Sequence, residues 1–468
     1  MKYKLEQIKI LKILSEFLGL SIKCYGGELL RLLTWAGFKI VCIMNVEKIG
    51  WKRIGVKFWR FVCIASTVSM MMLGSSVVPL HGQNSGTIIL NPIEIELKKK
   101  QVPLDLGKTP KSLASLVAKA ISAHGGLRLS TPSQSRYSVY FAPLGGGQIK
   151  VEVSKGSSGL PKKPVKSFVV EGNSIDQVVL KGCDRMVESI LGIPGFFSGK
   201  LCYLSNASGK KEIFVSNSLM TSAQPHTSFK KITFNPSWDN TGTGIFFTSN
   251  RKVFNNIYHL ELSSRRISTI ANYRGSNLRA VQNPRNSGVA MILSTSGNPE
   301  VWLASTPQSK PKRITRNKSN ESGPSWSADG RRLIVTSDSR GKPQLYEVSL
   351  STGILTRIPT NVSSHCTEAN WNPVDASKVA FTAASGGGFQ VYEYNFNTRK
   401  SRALTGGSRH SMQPCWANDG RHIFFTERAS NGSTRLMILD TELKGAKPVS
   451  LHGSNFGNCS QASFHYPR

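Results

Sequence analysis

The chain has 468 residues, of which 39% are hydrophobic and 19% charged, and its formal net charge at pH 7 is +33. This length is sufficient for two domains with substantial cores. The eight cysteines contain no CxxC or Cys/His ligand spacing, which argues against a zinc site. The basic residues are dispersed and lack an aromatic-interleaved recognition motif, which argues against a nucleic-acid partner.

The first 82 residues contain the clearest targeting signal. An uncharged, mostly apolar run at 61–72 follows five basic residues at 48–60 and precedes a turn at 79–82. This order is typical of a secretory signal peptide, which we place at 44–82. A membrane anchor is the alternative, but Gly74, Ser75, Ser76 and Pro79 interrupt the run before the roughly 20 apolar residues that a span needs. We therefore expect the mature chain not to span a membrane.

Residues 1–43 precede this signal and are interpreted as an extension ahead of a true start at Met44. Their apolar residues suggest an amphipathic helix: Leu5, Ile8, Leu11, Leu18, Leu29, Leu32 and Leu33.

Residues 83–195 are predicted to form a smaller α/β domain. A helix is expected from Pro110 to His124, ended by two glycines, and a second one from Ser174 to Leu191. Strands are predicted at 88–90, 93–97, 127–129, 137–141, 149–153 and 168–170. The segment Lys155 to Lys166, rich in Gly, Ser, Pro and Lys, is predicted to be a solvated loop.

Residues 196–468 contain an internal repeat. A Pro-Ser-Trp-Ser-x-Asp-Gly motif at 324–330 recurs in variant form, with spacings of 44, 44, 45, 45 and 48 residues between marker positions. The markers are Trp238, Gln282, Trp326, Trp371, Trp416 and Phe464. Each copy reads as four short strands separated by Gly, Asn, Asp or Ser turns. This arithmetic predicts an all-β six-bladed β-propeller.

The two ends of the repeat region predict how the ring closes. Residues 460–465 match the first strand of a repeat with nothing after it, whereas 200–205 and 212–215 supply later strands without a first. We therefore expect Phe464 to lie beside Leu201 and complete the sixth blade, which removes open sheet edges. An open β solenoid is the alternative. A disulfide between Cys202 and Cys459 is conceivable across this blade, although buried free thiols are favoured.

The sequence favours a protein that is not an enzyme. It has no Gly-x-Ser-x-Gly motif, and the phosphate-loop mimic at 195–201 has the wrong spacing. We expect no cofactor and no metal. Residues 83–468 keep a net charge of +25 once the 12 basic and 4 acidic residues of positions 1–82 are removed. This charge leaves a polyanion-binding or glycan-binding envelope protein open, and a propeller enzyme is a further alternative.

The junction Asp184 to Ser205 and the Pro-Ser-Trp-Ser-x-Asp-Gly repeats resemble the TolB family. The resemblance covers residues 174–468 well and residues 83–173 only in element order. It implies a monomeric periplasmic component of the Tol-Pal system that contributes to outer-membrane integrity and cell division. It also implies two partners: the outer-membrane lipoprotein Pal at one mouth of the propeller, and an inner-membrane Tol component through the mature N-terminus.

The resemblance places partner contacts on loops that enter the innermost strands, at 274–280, 317–323, 363–368 and 409–413. Ser276, Arg279 and Ser322 match family contact positions. Ser276 stands where the family often has His, and Arg279 where it has a small residue. The predicted partner-binding set is Arg274, Ser276, Asn277, Arg279, Asn320, Ser322, His365, Glu368, Arg409 and His410. The predicted regulatory N-terminal segment contains Gln83, Asn84, Thr87 and Ile88.

Overall fold

The structure is a computed structural model that describes residues 21–25, 28–35, 38–44, 100–156 and 160–467. The chain divides into two units between Ile88 and Ile89, and each is described by itself. The apolar run of the predicted signal peptide and the predicted regulatory segment at 83–88 lie outside the described residues. So do the strands predicted at 88–90 and 93–97.

The first unit contains a three-stranded antiparallel sheet of β1 (Ser21–Tyr25), β2 (Glu28–Trp35) and β3 (Phe38–Met44). The helix predicted for this segment is therefore wrong at Leu29, Leu32 and Leu33, which belong to β2. Glycines at 26, 27 and 37 separate three short apolar runs, and such punctuation favours a strand meander over a continuous helix.

The second unit begins with a five-stranded sheet and two helices, here called the α/β layer. Its sheet order is β5-β4-β6-β7-β8, with β4 parallel to β5 and β6 and the remaining pairs antiparallel. The elements are β4 (Val102–Asp105), α1 (Lys111–His124), β5 (Leu127–Leu129), β6 (Tyr137–Gly145), β7 (Gln148–Lys155), β8 (Lys163–Glu171) and α2 (Ile175–Leu191).

Both helices confirm the predicted spans and have recognisable ends. Helix α1 ends at Gly125, which adopts a positive φ of 73° that suits glycine. Helix α2 begins after Ser174, whose hydroxyl accepts the backbone N–H of Gln177 at 3.3 Å, and it ends at Gly192 with φ 65°. Leu113, Val117, Ala120 and Ile121 of α1 are buried at helical spacing, so one face packs into the core.

The predicted solvated loop at 155–166 is only partly correct. Lys155 pairs with Lys163 and Val153 with Lys166, so strand β8 starts inside the lysine-rich segment. Strand β8 lies at the edge of the sheet, where exposed lysines and a proline are tolerated because one side of the strand has no ladder partner.

The rest of the second unit is a six-bladed propeller, as predicted, in which every blade is a four-stranded antiparallel sheet. Blade 1 is split and combines β9 (Lys200–Ser205), β10 (Glu212–Asn217) and β11 (Ala223–Pro225) with the last strand, β32 (Cys459–His465).

The remaining blades are consecutive in the chain. Blade 2 contains β12 (Thr233–Trp238), β13 (Gly244–Lys252), β14 (Phe254–Glu261) and β15 (Ile267–Ala271). Blade 3 contains β16 (Asn277–Gln282), β17 (Val289–Leu293), β18 (Glu300–Ala304) and β19 (Lys312–Arg313). Blade 4 contains β20 (Glu321–Trp326), β21 (Leu333–Ser337), β22 (Gln344–Val348) and β23 (Leu355–Arg357). Blade 5 contains β24 (Cys366–Trp371), β25 (Lys378–Ser385), β26 (Gly388–Asn395) and β27 (Lys400–Ala403). Blade 6 contains β28 (His410–Trp416), β29 (His422–Arg428), β30 (Thr434–Asp440) and β31 (Val449–Ser450), and a short 3-10 helix (Ser454–Phe456) leads to β32.

The recurring tryptophan has a structural role in joining blades. The indole N–H of Trp238 donates to Ser463 O at 2.9 Å, that of Trp326 to Val281 O at 3.2 Å, and that of Trp416 to Asn370 O at 3.2 Å. Each of these bonds reaches the innermost strand of the preceding blade. At these three positions the marker joins successive sheets, whereas the Trp371 indole N–H donates to Ala376 O at 2.9 Å within its own blade.

The predicted closure of the ring is confirmed. Strand β32 pairs antiparallel with β9, and Phe464 lies opposite Leu201. Cys459 and Cys202 lie opposite Ser205 and Ser463 respectively, so they occupy different rungs of the ladder. Both are buried free thiols, as are the other three cysteines of the described propeller and α/β layer, and the conceivable Cys202–Cys459 disulfide is not formed.

Candidate functional site

The blade topology gives the propeller two distinct faces. Because the four strands of a blade alternate in direction, the start of the innermost strand and the hairpin between the second and third strands lie on one face, here called the entry face. The hairpins between the first and second strands and between the third and fourth lie on the opposite face, here called the exit face. All of the predicted partner-binding loops therefore open onto the entry face.

The α/β layer packs against the exit face at blades 6 and 1. His422, at the start of β29, bonds through Nε2 to the carbonyl oxygen of His124 at the end of α1, at 2.6 Å. Asn418 donates to Gly195 O at 3.0 Å. Phe196, Phe197 and several α1 and α2 side chains share one core with residues of these two blades. These contacts place the α/β layer on the exit face.

A second set of contacts fixes the junction between α2 and blade 1. The Asp184 carboxylate accepts the backbone N–H groups of Phe197 at 2.6 Å and Ser198 at 2.9 Å, the Ser198 hydroxyl, and the Tyr466 hydroxyl at 3.0 Å. One side chain of α2 is thereby bonded to the start of the propeller and to the end of the chain.

The rim of the entry face has an aromatic cluster at blades 5 and 6. The Phe389 ring, in the hairpin between β25 and β26, contacts the His365 ring at a centroid distance of 5.5 Å and the His410 ring at 5.9 Å. Arg409 is exposed next to this cluster and donates to Glu427 at 2.7 Å. Sequence reasoning selected His365, His410 and Arg409 but missed Phe389, because its proximity depends on two neighbouring blades.

The rim at blades 3 and 4 is more polar. The Asn320 backbone and amide N–H groups both donate to the Asp338 carboxylate at 2.8 Å, and Ser322 is exposed one position inside β20. Arg274 is exposed. The Ser276 N–H donates to the Ser294 hydroxyl at 2.7 Å, and the Ser276 carbonyl oxygen accepts the Ser294 N–H. These groups are available on the surface.

Asn277 differs from its neighbours because it is buried. Its amide donates to Tyr273 O at 2.9 Å and Asn255 O at 3.1 Å, and its carbonyl oxygen accepts the Tyr273 N–H at 3.1 Å. A side chain whose polar atoms are used in this way holds the shape of the entry loop.

Two of the predicted residues, Arg279 and Glu368, lie in the central channel instead of on the rim. The channel cavity has a volume of about 280 Å³ and is lined by residues of all six innermost strands. The equivalent positions on these strands are Asn235, Arg279, Gly323, Glu368, Gln413 and Gln461, and all but Arg279 have a positive φ of 53–57°. In five strands this position lies within a register shift of the ladder, so a β-bulge turns it towards the axis. In β16 the shift comes one residue earlier, and Arg279 pairs with Ile292.

These bulges link the blades by hydrogen bonds around the channel. The Asn235 N–H donates to Gln461 Oε1 at 2.7 Å, and the Gln413 N–H donates to Glu368 Oε2 at 2.9 Å. Arg279 makes one long bond, from Nη1 to Asn235 Oδ1 at 3.4 Å, and its Nε is buried without a hydrogen-bond partner among the described residues. Burial in the channel lowers the pKa of Arg279, while the Glu368 charge opposes this shift. The channel thus presents one cation and one anion among otherwise neutral groups.

One buried cluster has the residue types of a metal site. His124, His422 and Asp440 offer ligand atoms within 4.8 Å of one another. However, His422 Nδ1 and Nε2 each face an oxygen at 2.6 Å, and Asp440 is held by Arg421 through both carboxylate oxygens at 2.7 and 2.6 Å. With these atoms engaged and a guanidinium alongside, the cluster does not fit a metal ion.

The two histidines of this cluster carry different charges. Both nitrogens of His422 face acceptors, the Asp419 carboxylate and the His124 carbonyl, so the ring donates twice as an imidazolium. Burial opposes this charge, but Asp419 outweighs it and raises the pKa of His422. Burial, aided by the charges of His422 and Arg421, holds the pKa of His124 well below its usual value. The cluster is a structural contact between α1 and blade 6.

Comparison with known proteins assigns the propeller to a family. The model described as PD40, TolB beta propeller domain, matches residues 187–462, which is more than half of the chain. A protein named "Tol-Pal system protein TolB" from Desulfosudis oleivorans is 28% identical over 149 residues, covering 31% of this chain and 34% of the relative. A "Protein TolB homolog" from Chlorobium luteolum is 26% identical over 194 residues, covering 41% of this chain and 44% of the relative. The chain thus spans less than half the length of these two curated relatives.

A solved structure supports the same fold over a longer stretch. The crystal structure of TolB from Acinetobacter baumannii matches with a TM-score of 0.66 and 19% identity, covering 78% of this chain and 96% of that chain.

Among the described residues, neither α1 nor α2 combines the length and apolar character that crossing a membrane requires.

Proposed function

This chain belongs to the TolB β-propeller family, and from that premise we propose that it is a non-enzymatic periplasmic adaptor that docks a Pal-like outer-membrane lipoprotein on its entry face. The adaptor would contribute to outer-membrane integrity and cell division, as the predicted Tol-Pal role implies. The observation that carries the proposal is that the α/β layer covers the exit face at blades 6 and 1, whereas the entry face keeps its loops exposed.

The entry face has the features of a protein-binding surface. A rigid ring of sheets presents loops around one mouth, and recognition residues commonly lie on loops held by such a scaffold. The His365, Phe389 and His410 rings offer a partly exposed aromatic contact, and Arg409 adds an exposed cation beside it. Aromatic and arginine side chains are frequent energetic anchors of interfaces. A partner that covers this rim would also cap the channel above Arg279 and Glu368.

The second proposed partner, an inner-membrane Tol component, would contact the segment that includes Gln83, Asn84, Thr87 and Ile88. This part of the proposal rests on the family resemblance, which implies the lipoprotein at one mouth of the propeller and the inner-membrane component at the mature N-terminus. Deleting residues 83–88 from the exported chain should therefore abolish inner-membrane contact while the lipoprotein still binds.

The main test measures the affinity of the full exported chain for the soluble domain of the Pal-like lipoprotein by calorimetry. We expect Arg409→Glu to weaken binding at least about tenfold, because it reverses a rim charge beside the aromatic cluster. Arg331→Glu is the matched control, since Arg331 is an exposed arginine on an exit-face turn of blade 4. Equal affinity for both variants and the unchanged chain would contradict docking at this rim. Binding that disappears in high salt and is matched by any polyanion would favour the polyanion-binding alternative.

A further inference from the structure

An exposed apolar hairpin stands apart from the rest of the entry face. It connects β13 and β14 of blade 2, and its tip carries Val253, 79% exposed, and Phe254, 69% exposed. Ile232, 63% exposed, lies immediately before β12. The Ile232 N–H donates to Asn250 Oδ1 at 3.0 Å. The Ile232 carbonyl oxygen accepts the Asn250 backbone N–H at 3.2 Å. These bonds hold the two segments side by side.

Four cations flank these three apolar side chains. They are Lys230, Lys231, Arg251 and Lys252, and all four are exposed. Among the ion pairs of the described residues, none involves any of the four. The Arg251 guanidinium lies 4.5 Å from the centre of the Phe229 ring and 5.5 Å from that of Tyr258, which orients it beside the hairpin. The surface, here called the basic hairpin, therefore combines apolar side chains with uncompensated positive charge.

The backbone of the hairpin tip is strained at Val253, the residue that turns the chain between the paired Lys252 and Phe254. Val253 has a φ of 84°, a conformation that is unfavourable for a β-branched residue and that glycine or asparagine would adopt more easily. Its side chain gains little packing within the chain because most of it is exposed. A strained and exposed valine beside an exposed phenylalanine points to contact with something outside the chain.

We propose that the basic hairpin docks on an anionic phospholipid surface. Val253, Phe254 and Ile232 would enter the boundary between headgroups and acyl chains, while the four cations would contact lipid phosphates. Such binding is strengthened by both buried apolar area and attraction to anionic lipids. A lipid surface suits this feature better than a protein does, because three apolar side chains on a projecting turn fall far short of the roughly 800 Å² per partner of a stable protein interface.

The inference goes beyond the proposed adaptor function and does not depend on it. The basic hairpin lies on the entry face at blade 2, whereas the aromatic cluster lies at blades 5 and 6. Lipoprotein docking is measured with a soluble domain and no lipid, and lipid docking with vesicles and no lipoprotein. Failure of one proposal therefore leaves the other standing.

The test is co-sedimentation of the full exported chain with vesicles of phosphatidylcholine alone and with vesicles that also contain phosphatidylglycerol. We expect binding only to the vesicles that contain phosphatidylglycerol. The double variant Val253→Asn/Phe254→Ser should reduce this binding at least about tenfold, since it removes two of the three apolar side chains. Asn also relieves the strain at position 253, so the variant should unfold at the same temperature or higher. Replacing Lys231 or Lys252 by Gln should weaken binding about fivefold for each cation removed.

Ile354→Ser is the matched control, because Ile354 is 64% exposed on an exit-face turn of blade 4. Vesicle binding of this variant should be unchanged. Equal binding to both kinds of vesicle, or undiminished binding by the double variant, would overturn the proposal. It would also be overturned if vesicles were not bound and the double variant instead lost a protein partner of the cell envelope.

Discussion

The exit and entry faces of blade 6 are built from the same sheet, yet they use charged residues in opposite ways. On the exit face of blade 6, the Arg421–Asp440 pair is buried, with the two side chains 7% and 2% exposed. On the entry face of the same blade, the Arg409–Glu427 pair is 49% and 15% exposed. Breaking a buried ion pair is strongly destabilising, whereas the partners of an exposed ion pair exchange readily with solvent or another molecule. The comparison teaches that the ion pair on the exit face of this blade is built into the packed interior, whereas the pair on its entry face remains accessible to solvent.

The largest expected effect tests this division directly. Arg421→Ala leaves the Asp440 carboxylate buried without its guanidinium, and we expect the free energy of unfolding to fall by about 3–5 kcal/mol. Arg409→Ala removes an arginine from an exposed pair on the same blade and should cost less than about 1 kcal/mol. Urea unfolding of the two variants provides the measurement. Similar losses in both would break the comparison between the faces.

The pH dependence of the free energy of unfolding should sharpen the comparison between the faces further. His422 has a raised pKa in the folded chain, so its stabilisation is fully present below its unfolded pKa, about 6.5, and is lost as the pH rises through the folded value. His422→Gln should therefore lower the free energy of unfolding by about 2 kcal/mol near pH 6, where both donated bonds exist, and by less near pH 9.

The measurement is denaturant unfolding of the unchanged chain and the variant across this pH range. His124, whose pKa is lowered, acts in the opposite sense because its stabilisation is lost as the pH falls. Because the His422 charge contributes to this shift, the comparison is repeated with His124→Gln in both chains, and that difference isolates His422. A difference that grows with pH would contradict the imidazolium assignment.

The smallest expected effect concerns Asn277, which lies at the entry face but is buried and holds structure, as the exit-face pair of blade 6 does. Asn277→Ala should lower the free energy of unfolding by about 1–2 kcal/mol, because it leaves buried backbone groups of Tyr273 and Asn255 without partners. Ser322→Ala, on the neighbouring entry loop, should change stability by less than about 0.5 kcal/mol. Thermal unfolding distinguishes the two variants. An unchanged melting temperature for Asn277→Ala would contradict the structural role of Asn277 and favour its predicted role in partner binding.

Much of the fold follows from local patterns in the sequence. The helix ends at Gly125, Ser174 and Gly192 are set by capping chemistry that acts within a few residues. The lysines at 163 and 166 misled the loop prediction because exposure on an edge strand and exposure in a loop require the same residue types. Whether residues 83–195 and 196–468 are separate domains stays a prediction, since residues from 89 onward form one compact unit.

The candidate site was less accessible to sequence reasoning. The repeat register put Arg274, Ser322, His365 and Arg409 at one face of the propeller, because every blade repeats the same strand directions. It could not place Phe389 between His365 and His410, since the first contact forms only when blade 5 has folded and the second crosses from blade 5 to blade 6. Nor did it separate Arg279, which lies in the channel, from residues that remain on the rim.

By itself, the sequence determined the number of blades, the strand order within each, and the pairing of Phe464 with Leu201, because turn residues and apolar strands recur at a fixed interval. Only the tertiary structure decided which face the α/β layer covers. Contacts that make this choice join residues far apart in the chain, such as the bond between His422 and His124, separated by 298 positions, and the core shared with blades 1 and 6. Such contacts arise from packing of completed elements, and no local periodicity encodes them.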